Sequence, residues 1–264
     1  SSSSLPRFSF EELYQLQSNF WDNFLYPANK EQANSINSTL LATDVLGRVD
    51  ATRTFDGQEL NTEYLFGLFS TLGASQSTTL LGVPVSYDIV HFIGYGNIAS
   101  AATIVYFNNT AGLFDVFPVE IDTWIMFNED GQIWQYDATY RYFEYLLDSQ
   151  LAEAAPKIGT NTTDQTVAYF TDILADGICT TAMSSCNGTN TIYDSYDDCY
   201  EFLTKEVPFG TAYGLGMNTL LCRMVHENMV PFRPDVHCPH ISREGGGMCV
   251  DDYTYASKVL QPYY

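Results

Sequence analysis

The chain has 264 residues, of which 45% are hydrophobic and 15% aromatic, so it can form a sizeable core and is not a disordered acidic polymer. It carries 32 acidic and 11 basic residues, a net charge of −21, and no lysine- or arginine-rich run that would neutralise phosphates. These features argue against nucleic acid and anionic membranes as partners, and no apolar run approaches the roughly 20 residues that span a bilayer.

The first part of the chain predicts helices. Ser9 and Glu12 have the spacing of a capping box, and apolar residues recur at helical intervals from Phe10 to Leu25. Further elements are predicted in chain order as a helix, an extended segment and a helix: Lys30–Leu41, Asp44–Phe55 and Thr62–Leu72.

The middle of the chain predicts strands. From Val85 to Ile93 every odd residue except His91 is apolar or aromatic, which is the alternation of a strand with one polar group on its buried face. Three more strands are predicted, the last two joined by a hairpin turn: Ile98–Phe107, Val119–Phe127 and Gln132–Asp137. Helices followed by an antiparallel meander predict an α+β fold in which the helices cover one face of the sheet.

A boundary is predicted after this sheet. Helical spacing runs through Leu147 and Leu151, and Ala152–Thr163 has the composition of a polar linker. We therefore expect two domains, residues 1–150 and 151–264. The second is predicted to be a mainly helical, disulfide-stabilised extension with three short helices: Thr166–Leu174, Tyr196–Lys205 and Gly216–Met229.

The cysteines and sequons predict a secreted glycoprotein. Six cysteines lie in the final third of the chain and predict three disulfides: Cys179, Cys186, Cys199, Cys222, Cys238 and Cys249. Cys238 is expected to pair with Cys249 across a glycine loop. Four N-glycosylation sequons begin at Asn37, Asn108, Asn161 and Asn187. The start Ser-Ser-Ser-Ser-Leu-Pro, without Met or an apolar leader, is the start expected after a signal peptide has been removed.

Several short patterns over residues 8–150 point to one superfamily. They are the helices before Leu41–Val45, the Phe55-Asp56-Gly57 turn before a helix, the hairpin Trp124–Ile133, and Tyr136-Asp137 after it. Together they resemble the superfamily of nuclear transport factor 2, ketosteroid isomerase, scytalone dehydratase and SnoaL-like polyketide cyclases. The resemblance implies a curved sheet wrapped around a helix into a cone, open at one end and lined by apolar side chains. The cysteine-bearing extension is not typical of that family, so an activity does not carry over with the fold.

The cone predicts a site for a small apolar or aromatic molecule. The candidate ligand-binding residues lie on the predicted strands: Tyr87, Ile89, His91, Trp124, Trp134 and Tyr136. His91 is a candidate general base, and its alternative role is a core histidine bonded to a backbone carbonyl. Asp137 is the second acid/base candidate, and its alternative role is a structural salt bridge with Arg141.

A second candidate site lies near the C-terminus. Three of the four histidines fall within 15 residues of one another: His226, His237 and His240. Three imidazoles can bind a transition metal, and a histidine with Met229 can bind a haem. No HExxH or Cys-x-x-Cys pattern accompanies them. The alternative is that these histidines cap and brace a small disulfide lobe.

Three hypotheses for function follow. The first is a secreted binding protein that holds a pigment, polyketide or terpenoid in the cone. The second is an enzyme of the same fold, a cyclase, isomerase or dehydratase that uses His91 and Asp137. The third is a metal- or haem-binding protein centred on His226, His237 and His240. The resemblance also allows a homodimer formed through the open sheet face, while the sequence identifies no cofactor.

Overall fold

Alternating apolar residues in the middle of the chain form the predicted sheet. The computed structural model describes residues 4–70, 80–109 and 113–261. Six strands pair in the order β2-β1-β6-β5-β4-β3. Their bounds are Leu41–Val49 (β1), Thr54–Asp56 (β2), Val83–Tyr95 (β3), Ile98–Asn108 (β4), Phe117–Phe127 (β5) and Ile133–Tyr140 (β6). β3 to β6 form the predicted antiparallel meander, and β1 extends the sheet by parallel pairing with β6. The α+β prediction is confirmed.

The first helix, α1 (Phe10–Phe24), covers the inner face of this sheet. Its capping box is confirmed, because the Ser9 hydroxyl accepts from the Glu12 amide at 3.1 Å and the Glu12 carboxylate accepts from the Ser9 amide at 2.6 Å. The buried residues of α1 recur at helical spacing: Leu13, Gln17, Phe20, Trp21 and Phe24. This stripe of side chains packs on the sheet because burial of its apolar surface away from water is favourable.

The second predicted helix is too long in the sequence analysis. The structure has α2 over Ala28–Asn34, and Leu41 already begins β1. Ile36 has a φ of 65°, a left-handed conformation that no α-helix continues through. The next helix, α3 (Gln58–Leu65), is followed by a 3₁₀ turn at Gly67–Phe69, and residues 71 and 72 of the predicted third helix lie outside the described residues.

The C-terminal part is helical, as predicted. Its helices are Phe143–Ile158 (α4), Thr163–Ser185 (α5), Tyr196–Glu201 (α6), Leu220–Glu227 (α7), Pro234–His237 (α8) and Tyr255–Val259 (α9). The predicted linker is wrong over its first half, because α4 continues to Ile158 and ends at a left-handed Gly159. Leu151 and Ala154 of α4 are buried in the C-terminal core, and this packing extends the helix through a stretch of polar composition.

All six cysteines form disulfides, but with different partners from those expected. The pairs are Cys179–Cys199, Cys186–Cys238 and Cys222–Cys249. The predicted Cys238–Cys249 pair is wrong. The end of α5 packs on the 3₁₀ turn that begins at Cys238, while Cys249 lies against α7. The disulfide partners are therefore decided by which segments pack together in the folded chain and not by closeness in the sequence.

Apolar contacts join the two parts of the chain. One small cluster contains Ala51 of the sheet side together with Phe143 and Ala212 of the C-terminal part. Another contains Phe55, Tyr64 and Met229. The C-terminal helices thus pack directly against the cone. Among the described residues, the helices are either too short or too polar to cross a membrane.

Gly47 of β1 gives a test of how α3 packs on the sheet. A Cβ at Gly47 would lie 2.2 Å from Asn61 Oδ1 and 2.3 Å from the Tyr136 hydroxyl, whereas a Cβ at Gly67 would have its nearest neighbour at 3.6 Å. We expect Gly47→Ala to lower the free energy of unfolding by about 1–3 kcal/mol through overpacking. Urea unfolding checks this, with Gly67→Ala as the matched control. Equal stability of the two variants would contradict the packing described.

Candidate ligand cavity and histidine cluster

The inner face of the sheet and α1 form the walls of a cavity of about 120 Å³. Alternate residues of β5 and β6 line its sheet side: Ile121, Thr123, Ile125, Tyr136, Ala138 and Tyr140. Opposite them, α1 contributes Phe20, Trp21 and Phe24, which lie on one helical face. A dry apolar cavity of roughly 150 Å³ admits benzene, so this cavity has room on the order of one aromatic ring.

The C-terminal part supplies the remaining wall. Four of the lining residues belong to α7 and the turn after it: Leu221, Met224, Val225 and Asn228. They follow the i, i+3, i+4, i+7 spacing of one helical face. Phe143 and Leu147 of α4 and Leu215 complete the wall. These residues were not among the predicted ligand-binding residues, although the apolar spacing in α7 is a usable signal in the sequence.

The lining lacks acid/base groups. None of the described residues around the cavity carries a carboxyl, imidazole, amino, guanidinium or thiol group. The titratable lining residues are tyrosines, and burial raises the pKa of Tyr64 and Tyr140 well above the usual phenol value. These phenols are neutral at physiological pH. The wall therefore offers apolar contact and hydrogen bonds rather than a general acid and base.

A few polar atoms interrupt the apolar wall. The Tyr136 hydroxyl donates to Asn61 Oδ1 at 2.8 Å, and Gln150 donates to the Leu80 carbonyl at 2.8 Å. The Trp21 indole N–H and the Thr52 hydroxyl are buried and have no hydrogen-bond partner among the described residues. A buried polar atom without a partner destabilises the fold by about 1–3 kcal/mol, and both residues belong to the cavity wall.

Of the six predicted ligand-binding residues, the structure places only Tyr136 in the cavity wall. Tyr87 and Ile89 lie on the inner face but pack beside α1, where the Tyr87 hydroxyl donates to Asp22 at 2.7 Å. Trp124 lies on the outer face and is 55% exposed. Trp134 is half-buried, and its indole N–H donates to Asp44 at 3.3 Å.

The expectation that His91 lies on the buried face is wrong. The pairing of β3 with β4 is shifted between Ile89 and His91, which is the signature of a β-bulge. Thr103, opposite Ile89, is buried, whereas His91 pairs with Ala102 and is exposed. One extra residue in the bulge reverses the faces of all the following side chains. His91 therefore cannot act as a base inside the cavity.

Asp137 also faces away from the cavity. Its neighbours on β6, Tyr136 and Ala138, line the cavity, so alternation directs Asp137 to the other face. There it accepts two hydrogen bonds from Arg48, one of them at 3.0 Å from Nε. The predicted partner Arg141 instead contacts Glu120 at 3.1 Å. The salt bridge exists, but with a residue 89 positions away, which helical spacing could not identify.

The three C-terminal histidines come together. His226 lies on α7, His237 ends α8, and His240 lies in the 3₁₀ turn that follows. One ring nitrogen from each lies within 4.8 Å of the others, and all three side chains are buried. The Nδ1 atoms of His237 and His240 are 3.2 Å apart. Burial lowers the pKa of His237 and of His240 to about 4 and that of His226 well below its usual value, so all three imidazoles are neutral near pH 7.

Two residues of α3 contact this cluster. His237 Nε2 contacts the carboxylate of Glu63, which is 1% exposed and also contacts Arg233. Burial raises the pKa of Glu63, while the charge of the Arg233 guanidinium in contact favours the ionised carboxylate. The Tyr64 hydroxyl lies 3.0 Å from Nδ1 and 3.1 Å from Nε2 of His226. The sequence analysis missed both residues, because nothing local links α3 to a cluster more than 160 residues away.

Comparison with known families divides the chain near the end of the sheet. Residues 18–138 match the family model of the BfoA N-terminal domain, and residues 139–252 match that of the BfoA family C-terminal domain. Bifonsecin B biosynthesis cluster protein A from Aspergillus brasiliensis is 55% identical over 262 residues, 99% of this chain and 87% of the relative. Aurasperone B biosynthesis cluster protein A from Aspergillus niger is 54% identical over 264 residues, 100% of this chain and 85% of the relative.

Solved structures give a distant likeness over somewhat more than half of the chain. An LEH-like epoxide hydrolase of M. tuberculosis covers 57% of this chain and 98% of its own, with 11% identity and a TM-score of 0.40. A protein from Jannaschia sp. CCS1, described as a SnoaL-like polyketide cyclase, covers 59% of this chain and 99% of its own, with 11% identity and a TM-score of 0.39.

Asp50, between the lining residues Val49 and Ala51, provides a pH test. Burial raises its pKa from 3.8 to about 6. The hydrogen bond that its carboxylate accepts from the Tyr140 amide at 3.0 Å acts in the opposite direction and lowers the pKa. The folded protein therefore binds more protons than the unfolded chain between these two values. The contribution of Asp50 to the free energy of unfolding falls as the pH rises through this window.

Asp50→Asn keeps an acceptor for the Tyr140 amide and removes the buried charge. We expect the variant to raise the free energy of unfolding by up to about 3 kcal/mol at about pH 8, because a tenfold change in proton affinity corresponds to about 1.4 kcal/mol, and to change it little near pH 4. Denaturant unfolding across this range measures the difference. Asp88→Asn, at an exposed position of β3, is the control. A gain that does not depend on pH would contradict the assignment.

Proposed function

The chain belongs to the BfoA family, and we propose that it binds a small aromatic molecule in the cavity between its cone and its C-terminal part. The observation that carries this proposal is the composition of the cavity wall. Aromatic rings line it from two sides, and its described residues include no carboxylate, imidazole or amine. Flat apolar molecules pack well on such walls, because burial of their surface and ring contacts both stabilise the complex.

The unpartnered polar atoms of the wall indicate which hydrogen-bonding groups the ligand carries. The Trp21 indole N–H can donate, and the Thr52 hydroxyl can both donate and accept. A hydroxyl- or carbonyl-bearing aromatic compound supplies partners for both, whereas a pure hydrocarbon leaves them unsatisfied. We therefore propose a phenolic or carbonyl-substituted ring as the part of the ligand that enters the cavity.

The relatives support a ligand from secondary metabolism. Proteins from Aspergillus that are 54–55% identical to this chain carry names from the bifonsecin B and aurasperone B biosynthesis clusters. We extend this context to the present chain and propose that its ligand is a product or intermediate of such a cluster. Binding fits the cavity better than acid/base catalysis, because His91 and Asp137 both lie outside the wall.

We also propose that the protein is secreted. The three disulfides support an oxidising compartment, since disulfides persist in secreted proteins and are rare in the cytosol. Three of the four sequon asparagines are exposed: Asn37, Asn161 and Asn187. Asn108 is half-buried in β4 between two neighbouring strands, and Thr110 of its sequon lies outside the described residues.

Filling the cavity tests the binding proposal. Ala138→Leu places a larger side chain in the wall, whereas Thr139→Leu makes a similar change at the next residue, which is exposed. We expect Ala138→Leu to weaken binding of the probe para-cresol at least about tenfold, or 1.4 kcal/mol, and Thr139→Leu to leave it unchanged. Isothermal titration calorimetry measures both. Toluene, which lacks the hydroxyl, should bind the unaltered protein more weakly than para-cresol.

Two results would overturn this proposal. One is para-cresol affinity that Ala138→Leu leaves intact while circular dichroism shows the native fold. The other is the absence of any organic molecule in solvent extracts of protein purified from its natural source, together with no measurable binding of either probe.

Enzymatic removal of N-glycans tests secretion. We expect peptide-N-glycosidase F to lower the mass of protein isolated from its source, with conversion of Asn37, Asn161 and Asn187 to aspartate. Asn108 should remain unmodified, because its side chain is half-buried in a paired strand. Peptide mass spectrometry identifies the sites. An unchanged mass at all three exposed asparagines would contradict passage through the secretory pathway.

A further inference from the structure

We propose that His226, His237 and His240 together bind one divalent transition-metal cation of the zinc or copper type. The three histidines converge from a helix, the end of a second helix and the turn after it, and they present one ring nitrogen each within 4.8 Å. This site is separate from the aromatic wall of the cavity, so the inference does not depend on the proposed ligand.

The donor set fits such a cation. Neutral imidazole nitrogen is a preferred ligand of zinc, copper and nickel, and a histidine must be unprotonated to coordinate. Burial and the mutual proximity of the rings keep these three imidazoles neutral near pH 7. The sulfurs of Cys222 and Cys249, which also lie near His226, are bonded to each other and are not thiolate ligands.

The spacing of two of the three nitrogens matches that of a tetrahedral site. Zinc–nitrogen bonds of about 2.0–2.1 Å at tetrahedral angles separate two ligand atoms by roughly 3.3 Å. The Nδ1 atoms of His237 and His240 are 3.2 Å apart. A hydrogen bond between two neutral imidazoles has a similar length. The three nitrogens together lie within 4.8 Å of one another, so a tetrahedral cation would draw the His226 ring towards the other two on binding.

Glu63 orients the central ligand. Its carboxylate contacts Nε2 of His237. When Glu63 is ionised, it accepts a hydrogen bond from this nitrogen, and the lone pair of His237 Nδ1 then faces His240. A carboxylate behind a histidine ligand fixes the tautomer and raises the basicity of the coordinating nitrogen. The second oxygen of Glu63 is held by Arg233, and a further carboxylate, that of Glu59, contacts the same guanidinium.

Two disulfides fix the backbone that carries the ligands. Cys238, between His237 and His240, is bonded to Cys186 at the end of α5. Cys222, one turn before His226 on α7, is bonded to Cys249. These cross-links restrict the backbone on which the imidazoles are carried before any cation arrives, which reduces the conformational entropy lost on binding.

Three protein ligands leave a fourth position on a tetrahedral ion. That arrangement is typical of zinc sites that bind water or an exogenous ligand, whereas structural sites use four protein ligands. Tyr64 lies between the cluster and the cavity, because its hydroxyl contacts His226 while its side chain belongs to the cavity wall.

Metal reconstitution tests the proposal. Protein without a polyhistidine tag is dialysed against a chelator and then titrated with Zn²⁺ or Co²⁺. We expect one equivalent of metal per chain by mass spectrometry, visible absorption of tetrahedral Co²⁺, and a higher melting temperature with Zn²⁺. His240→Ala should lose stoichiometric binding. Glu63→Gln should weaken it about 10–100-fold, as is typical when the partner of a ligating histidine is changed.

His91→Ala is the matched control, because His91 is the fourth histidine of the chain and lies exposed on the sheet. It should bind metal as the unaltered protein does. The proposal fails if the unaltered protein retains no stoichiometric metal, or if His91→Ala and His240→Ala lose it equally. Should His240→Ala not fold, X-ray absorption of the unaltered Co²⁺ form decides. Three imidazoles in the first shell support the site, and sulfur or oxygen ligands without imidazole overturn it.

Discussion

The apolar inner face of the cone must be shielded from water at its open end, and the C-terminal part provides that cover. α1 can bury only the side of the sheet that it crosses, which leaves the mouth lined by Ala138, Tyr140 and Phe55. α4 and α7 close this opening with apolar residues at helical spacing. Each part also has a core of its own, and the two parts share the cavity wall and two small apolar clusters at their junction.

The packing of the C-terminal part on the cone also buries polar groups of both parts at their interface. Glu63 on α3 is buried against Arg233 and His237, which lie more than 160 residues further along the chain. A buried carboxylate is tolerated only when such partners satisfy it, so this ion pair fixes how α3 and the C-terminal part meet. The disulfides Cys186–Cys238 and Cys222–Cys249 then hold the histidines at the same interface.

The two candidate sites meet at Tyr64. Its ring stacks on Phe55 at a centroid distance of 3.8 Å, and its hydroxyl reaches His226. The same side chain thus contributes to an apolar cavity wall and to a polar cluster. This juxtaposition explains why the two candidate sites of the chain are neighbours in space, although one derives from the sheet and the other from the last third of the sequence.

Local patterns in the sequence determined much of the first half of the fold. The capping box at Ser9, the four long strands and the late hairpin follow from short-range hydrogen bonding and apolar periodicity, which act between neighbouring residues. The three C-terminal histidines were also candidates from the sequence, because they lie within 15 residues of one another, and the structure brings them together. Only the tertiary structure decided the disulfide partners, the Arg48–Asp137 pair, the role of Glu63 and the outward position of His91. Each of these depends on contacts between distant segments or on a single bulge residue, and such long-range packing free energies leave no periodic signal in a single sequence.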